Sequence, residues 1–163
     1  MGAPVRIDAM NEGDFAAVAS IDPDAKLGLD QLRDERARPW SRLWVGREDG
    51  EGVVAFAIVW HVADEVHVLN VATRADRRRR GAGRALVDAV VCYGREQRVS
   101  RVLLEVRRSN RAAIALYRGA GFRATGIRSR YYPDDEDAVE MALELDPDTG
   151  QSLPRTDDVQ LES

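Results

Sequence analysis

Between Ser41 and Gln97 the apolar residues change their period, and that change restricts the chain to a mixed α/β fold. Leu43, Trp44 and Val45, then Val53 to Val62, then Val66 to Thr73 read as three strands separated by the turn signals Asp49-Gly50 and Asp64-Glu65. Connections this short join antiparallel neighbours. After Gly83 the apolar positions become Leu86, Val87, Val90, Val91 and Tyr93, the spacing of an amphipathic helix that runs to about Gln97. A strand that passes through glycines into a helix presents unobstructed backbone N–H groups at the helix start, where an anion is favoured.

The flanking segments complete the pattern. Val5, Ile7 and Ala9 alternate with Arg6 and Asp8 as in a half-buried strand. Asn11 stands as a helix cap, with Asp14 at the capping-box position, before the stripe Phe15, Val18 and Ile21. Leu29 to Arg38 reads as a charged second helix stopped by Pro39. Downstream, Arg101 to Arg108 is a strand, Asn110 to Gly119 a helix, and Phe122 to Tyr132 and Ala138 to Leu145 a closing strand pair. With 163 residues, 44% of them apolar and 32% charged, one globular domain over residues 1–146 is expected. Residues 147–163 are polar, acidic and aperiodic, and are expected to be disordered.

Charge and cysteine content narrow the function classes. Asp146, Asp148, Asp157, Asp158 and Glu162 against Arg155 place the whole net charge of −4 in the last segment, which leaves the rest neutral. A neutral domain gives non-specific nucleic-acid binding little electrostatic support. No apolar run approaches the roughly 20 residues that cross a bilayer. Arg6, Asp8, Glu12 and Asp14 interrupt any apolar leader, so a cytoplasmic location is expected. A lone Cys92, with Val91 and Leu86 as helical neighbours, suggests simple packing. No His, Cys and Asp cluster has metal-ligand spacing, so no metal is expected.

The chemistry centres on Asn70-Val71-Ala72-Thr73, then Arg78, Gly81 and Gly83. Arg77, Arg78, Arg79, Arg80 and Arg84 surround this turn and supply charge suited to a pyrophosphate. A solvated basic loop before an ordinary helix is the alternative. No Gly-Lys-Ser/Thr follows, which excludes a Walker loop.

Arg78-x-x-Gly81-x-Gly83 resembles the pyrophosphate loop of the GNAT acetyltransferases. A longer block is more specific: Leu104-Glu105-Val106-Arg107-x-Ser109-Asn110-x-x-Ala113-Ile114-x-Leu116-Tyr117, then Gly121-Phe122, Arg128-x-Arg130-Tyr131-Tyr132-Pro133 and Glu136-Asp137-Ala138. It is similar to RimI-type N-acetyltransferases, which acetylate the N-terminal alanine of a ribosomal protein. The resemblance implies a mixed, mostly antiparallel sheet splayed between its fourth and fifth strands, flanked by about four helices. It also implies acetyl-CoA as co-substrate.

By the same resemblance, backbone groups of Val71, Ala72 and Thr73 hold the pantetheine arm and thioester oxygen. Arg78, Arg79, Arg80, Gly81, Ala82, Gly83 and Arg84 hold the phosphates, and Asn110 contacts the cofactor. Glu105 takes the amine proton, directly or through water, and Tyr117 is the general acid beside the sulfur. Tyr131, Tyr132 and Glu136 are implied at the acceptor site, and the acidic run Asp134 to Asp137 suits a basic peptide. Structural readings stand beside these: Glu105 paired with Arg107 or Arg130, Tyr117 as a core aromatic, the acidic run as a solvated loop. His61 and His67 are competing bases, although nothing in the sequence pairs them with a nucleophile.

Two departures bear on the acceptor. Arg74-Ala75-Asp76-Arg77 replaces the usual Asp-Pro-x-aromatic, and Ile21-Asp22-Pro23-Asp24 stands where an acidic-aromatic segment is expected. A protein N-terminus is the leading acceptor, a lysine side chain or small amine the second. A non-catalytic acetyl-CoA-binding module is the reading from outside enzymology. An α-amine of pKa about 8 is roughly a tenth neutral at pH 7, against well under a thousandth for lysine at about 10.4, so one carboxylate base suffices more readily for the former.

Overall fold

The computed structural model describes residues 4–161. Seven strands form one sheet in the order β1-β2-β3-β4-β5-β7-β6, comprising β1 (Arg6–Ala9), β2 (Ser41–Glu48), β3 (Gly52–Val62), β4 (Glu65–Thr73), β5 (Arg101–Arg107), β6 (Arg123–Arg128) and β7 (Ala138–Glu144). Four α-helices accompany them: α1 (Phe15–Ile21), α2 (Leu29–Ala37), α3 (Ala82–Glu96) and α4 (Arg111–Gly119). The chain forms two compact units, one containing the chain through His61 with Leu69–Val90, the other Val62–Val68 and the chain from Val91 onward.

In the first unit, β1, β2 and β3 pair antiparallel. The anticipated stripe Phe15, Val18 and Ile21 is buried, and packs with Met10, Leu32, Leu43, Val45, Phe56 and Ile58. Burying each such side chain fully stabilises the fold by about 1.5–3 kcal/mol, which is why the weakly apolar α2 is held through Leu32. A hydrogen bond from Trp60 Nε1 to Glu35 Oε2 at 2.7 Å ties α2 to β3 as well.

The entry to α1 carries a buried charge. Asn11 N–H donates to Asp14 Oδ2 at 3.0 Å, as the capping-box reading anticipates, but Glu12–Asp14 form a 3-10 turn rather than the first turn of α1. Asp14 is only 6% exposed, and Arg47 grips both its oxygens at 2.7 and 2.9 Å. Burial by itself raises the Asp14 pKa, but the Arg47 guanidinium and the Asn11 N–H outweigh it and hold the carboxyl below its ordinary range. Asp14→Ala is expected to cost about 2–3 kcal/mol, because Arg47 loses its buried partner and keeps only Asp8. At roughly 2–4 °C per kcal/mol for a chain of this size, the melting temperature falls by about 5–10 °C. A depressed carboxyl stabilises the fold above its unfolded pKa of about 3.9, and that contribution disappears as pH falls through the folded value. The gap between wild type and variant in thermal melts therefore persists at neutral pH and closes in acid.

In the second unit, β5 pairs parallel with β4 and antiparallel with β7, which pairs with β6. Val66, Val68, Val102, Leu104, Val106, Val139, Met141 and Leu143 are buried on one face of these strands. The parallel ladder joins Glu65–Val68 to Arg101–Leu104 and goes no further. From Glu105 onward, β5 is registered with β7 alone.

Two local readings are corrected. The strand expected over Phe122 to Tyr132 ends at Arg128, since Arg130 takes a left-handed φ of 52° and Tyr132 and Asp135 close a turn instead. Cys92 is exposed, not packed: it lies one turn from Asp88 and Glu96 on the outer face of α3, and its thiol donates to Glu96 Oε1 at 3.2 Å. That hydrogen bond, followed by burial, raises the thiol pKa. In the C-terminal segment, Leu145 bridges to Ser152, Ala124 N–H of β6 donates to the Asp157 carboxylate at 2.9 Å, and Asp158 N–H donates to Ala124 O at 2.8 Å. Asp157 is also paired with Arg118, and Asp158 with Arg155.

Candidate active site

The turn after β4 lies in the first unit. Arg74 N–H donates to Val54 O at 2.7 Å and fixes the end of β4, where Val71, Ala72 and Thr73 are half-buried. Gly81 has φ +91°, and nothing lies within 4 Å of where its Cβ would be. An L side chain is strained there, so glycine is required by the backbone. Ala85 N–H reaches Gly81 O at 2.9 Å and closes the first turn of α3, so the N–H groups of Ala82, Gly83 and Arg84 lie outside the helical ladder. Together with the positive end of the helix dipole, they form a phosphate-sized set of donors.

The arginines of this turn separate into two groups. Arg77 turns inward to Glu48, which is 3% exposed, and to Glu51 at 3.5 Å. Arg74 pairs with Glu51 and with Asp76 at 2.6 Å, Arg84 with Asp88 at 2.9 Å, and Arg78 Nε points to Thr73 O at 3.3 Å. Arg79 and Arg80 are exposed and have no ion-pair partner among the described residues. The unusual Arg74-Ala75-Asp76-Arg77 segment is thus a scaffold that braces the turn, and Arg78, Arg79 and Arg80, none of them ion-paired among the described residues, carry its uncompensated charge. Gly83→Val is expected to raise the acetyl-CoA dissociation constant about tenfold or more while leaving stability within about 1 kcal/mol, since glycine is itself the poorer helix former. Isothermal calorimetry giving equal CoA affinity for wild type and variant would count against a phosphate site here.

Glu105 and Tyr117 lie in the second unit. Glu105 is the first β5 residue past the parallel ladder, and its side chain is 15% exposed. It pairs with neither Arg107 nor Arg130. Arg107 is taken by Asp134 and Glu136, both at 2.9 Å, and its guanidinium stands 4.2 Å from the centre of the Tyr132 ring. Glu105 instead meets His67 Nε2 at 2.6 Å, the partnership that the sequence did not disclose. The signal that could have revealed it is strand parity: His67 is registered with Leu103, two residues from Glu105 and on the same face.

Tyr117 is held by the end of its helix. Phe122 N–H bonds to Tyr117 O and Gly121 N–H to Arg118 O, each at 3.0 Å, with Gly121 at φ +105°: this is a Schellman cap. The Tyr117 and Phe122 rings meet edge to face at 5.7 Å, the apolar contact that accompanies such a cap. The Tyr-x-x-x-Gly-Phe spacing therefore fixes where the tyrosine points. Burial, and to a lesser degree the neighbouring Tyr132, push the Tyr117 phenol up to about 12, so it stays protonated at any physiological pH. Asn110 caps the other end of α4, accepting from Ala113 N–H at 3.1 Å.

The acids of the loop after β6 are partly compensated by Arg107 and Arg108 at the end of β5. Glu136 accepts from Ser109 N–H at 2.8 Å as well as from Arg107, and these bonds hold its carboxyl below the ordinary range. Asp137 pairs with Arg108. Of the four acids from Asp134 to Asp137, Asp135 alone has no ion pair among the described residues, so the loop attracts a basic peptide less than its composition suggests. Tyr131 is exposed and meets Tyr132 edge to face at 5.1 Å.

Comparison with known proteins settles the family. The model of the acetyltransferase (GNAT) family matches residues 9–122. The chain belongs to the GNAT acetyltransferases. Within 123 aligned residues it is 39% identical to the ribosomal protein bS18-alanine N-acetyltransferase of Escherichia coli, covering 67% of this chain and 83% of that one. It is 32% identical over 140 residues to the N-alpha-acetyltransferase RimI of Mycobacterium tuberculosis, covering 79% and 85%. The crystal structure of the Escherichia coli ribosomal-protein-alanine N-acetyltransferase superposes with a TM-score of 0.77 at 34% identity, over 86% of this chain and 94% of that one.

The GNAT fold, with its mostly antiparallel sheet and one parallel pair, is as the resemblance implied. Among the described residues, no group of three His, Cys, Asp or Glu is arranged to hold a metal ion. Among the same residues, no helix is long and apolar enough to cross a membrane.

Proposed function

We propose that this GNAT enzyme transfers the acetyl group of acetyl-CoA to the N-terminal α-amine of a protein, with the N-terminal alanine of a ribosomal protein as acceptor in the cytoplasm. The carrying observation is Glu105: a largely buried carboxylate that no arginine neutralises, in the same unit as a phenol kept protonated by burial. A carboxylate tied to an arginine is a poor base, whereas Glu105 keeps an oxygen for the amine proton. The likeness to two alanine and α-amine acetyltransferases supports the acceptor class.

In this reading the turn at Gly81 to Arg84 holds the CoA phosphates, and the backbone of Val71, Ala72 and Thr73 holds the thioester arm. Glu105 accepts one proton from the ammonium, and the neutral amine attacks the thioester carbon, forming the C–N bond. As the C–S bond breaks, a second proton reaches the sulfur through Tyr117. A thiol pKa of about 8.5 lies far below about 12, so full transfer from the phenol alone is uphill by several kcal/mol. Tyr117 therefore stabilises the departing sulfur by its hydrogen bond and passes on a proton that the adduct nitrogen releases. Asn110 continues as the cap that sets the start of α4, and Tyr131 and Tyr132 offer aromatic surface to the acceptor peptide.

Acetylation followed by mass spectrometry tests this reading against an N-terminal alanine peptide, an N-blocked lysine peptide and spermidine. The alanine peptide is expected to show the highest kcat/KM, with the mark on its α-nitrogen. A higher value for lysine or spermidine would overturn the acceptor assignment.

A further inference from the structure

The face of the second unit's strands opposite its buried core is lined with charge. Register places Glu65, His67, Arg101, Glu105, Arg107, Glu140 and Glu144 on that side. Glu65 and Glu144 stand against Arg101, Glu140 against Arg128, and Arg107 against Asp134 and Glu136. Glu105 departs from this pattern, because its partner is an imidazole. The 2.6 Å contact joins His67 Nε2 to Glu105 Oε2, and the imidazole is the more exposed of the two, at 38% against 15%. A carboxylate only accepts, so the ring nitrogen facing it carries the proton. His67 is then no base toward the amine at Nε2, the role in which it competes with Glu105 in the sequence.

We propose that His67 is a positioning residue for Glu105: its Nε2–H fixes Oε2 and leaves Oε1 as the oxygen that takes the amine proton. This rests on the proposed acetyl transfer, and it accounts for the choice of histidine over arginine. An arginine at this place would hold the carboxylate at full charge by a permanent cation and suppress its basicity. An imidazole supplies the directing N–H without a permanent cation, as the third group of a catalytic triad orients its neighbour.

Three substitutions at His67, two at Glu105 and one spectrum test the assignment. His67→Ala is expected to lower kcat for the alanine peptide about tenfold, the worth of one hydrogen bond to a charged group, with KM for acetyl-CoA unchanged. His67→Gln, which retains an N–H at similar reach, recovers most of that loss, whereas His67→Phe does not. In a Glu105→Gln background, His67→Ala adds little, since its effect passes through Glu105. Equal losses in both backgrounds, or a glutamine variant no better than alanine, would overturn the proposal. In the folded protein without substrate, proton NMR is expected to show a downfield Nε2–H resonance from His67 that vanishes in Glu105→Ala. Its absence from the wild type overturns the pairing whatever the acceptor turns out to be. A wild type that shows the resonance but acetylates no peptide of the panel overturns only the proposed acceptor.

Discussion

Tyr117→Phe is expected to lower kcat by about 10²- to 10⁴-fold, the usual worth of a positioned acid, while acetyl-CoA binding stays nearly intact. The substitution removes one oxygen and nothing else. Tyr117 is 8% exposed and its ring sits edge to face on Phe122, a contact that phenylalanine preserves. The Schellman bonds use the backbone of Tyr117, so the cap survives as well. No hydrogen bond from the hydroxyl to another described residue is lost, so the variant keeps its fold and its melting temperature moves by about 3 °C at most. Because burial holds the phenol protonated up to about pH 12, the loss should be the same at pH 6.5 and pH 9. Steady-state kinetics at those two pH values, with calorimetric CoA affinity alongside, decide the matter. A kcat within threefold of wild type would remove Tyr117 from the chemistry and leave it a core aromatic.

How far the sequence disclosed this arrangement varies with the range of the interaction. Period changes and glycine placement are local, so the strands and helices were legible to within a few residues, and Gly81 was legible as part of a strand-to-helix turn, although its positive φ was not. The overlong β6 had a local cause that alternation does not report, the left-handed Arg130 and the turn closed by Tyr132 and Glu136. Cys92 was misplaced because two flanking apolar residues say little about a position that shares a helix face with Asp88 and Glu96.

Partners of charged side chains were not legible. Arg107 meets acids 27 and 29 residues away, and Arg47 meets Asp14 across 33. With 24 basic and 28 acidic residues, composition leaves almost every pairing open, and only strand register and loop closure select among them. The same reason hid the division of the arginine turn into bracing residues, Arg74 and Arg77, and uncompensated ones, Arg78, Arg79 and Arg80. Glu105 and Tyr117 came from the family resemblance. What the structure adds is the physical setting of each: the end of a ladder and an imidazole for one, a capped helix end for the other.

For Glu105 the decisive variable is pH. Glu105→Gln keeps the volume, and its amide oxygen still accepts from His67, so the side chain stays in place without the ability to take a proton. An acceptor amine of pKa about 8 is mostly ammonium at pH 6.5 and mostly neutral at pH 9. Wild type removes the proton within the complex, whereas the variant must wait for the neutral amine from solution. The deficit in kcat/KM is therefore expected to be about 100-fold or more at pH 6.5 and to shrink to less than about tenfold at pH 9. The direction follows from the amine: as pH rises, solvent takes over the proton removal that the carboxylate performed. A competing account, in which Glu105 only organises the acceptor site, gives a deficit that does not change with pH. A pH series of kcat/KM for the alanine peptide separates the two. A flat ratio from pH 6.5 to 9 would reduce Glu105 to a positioning role and move the search for a base to His67.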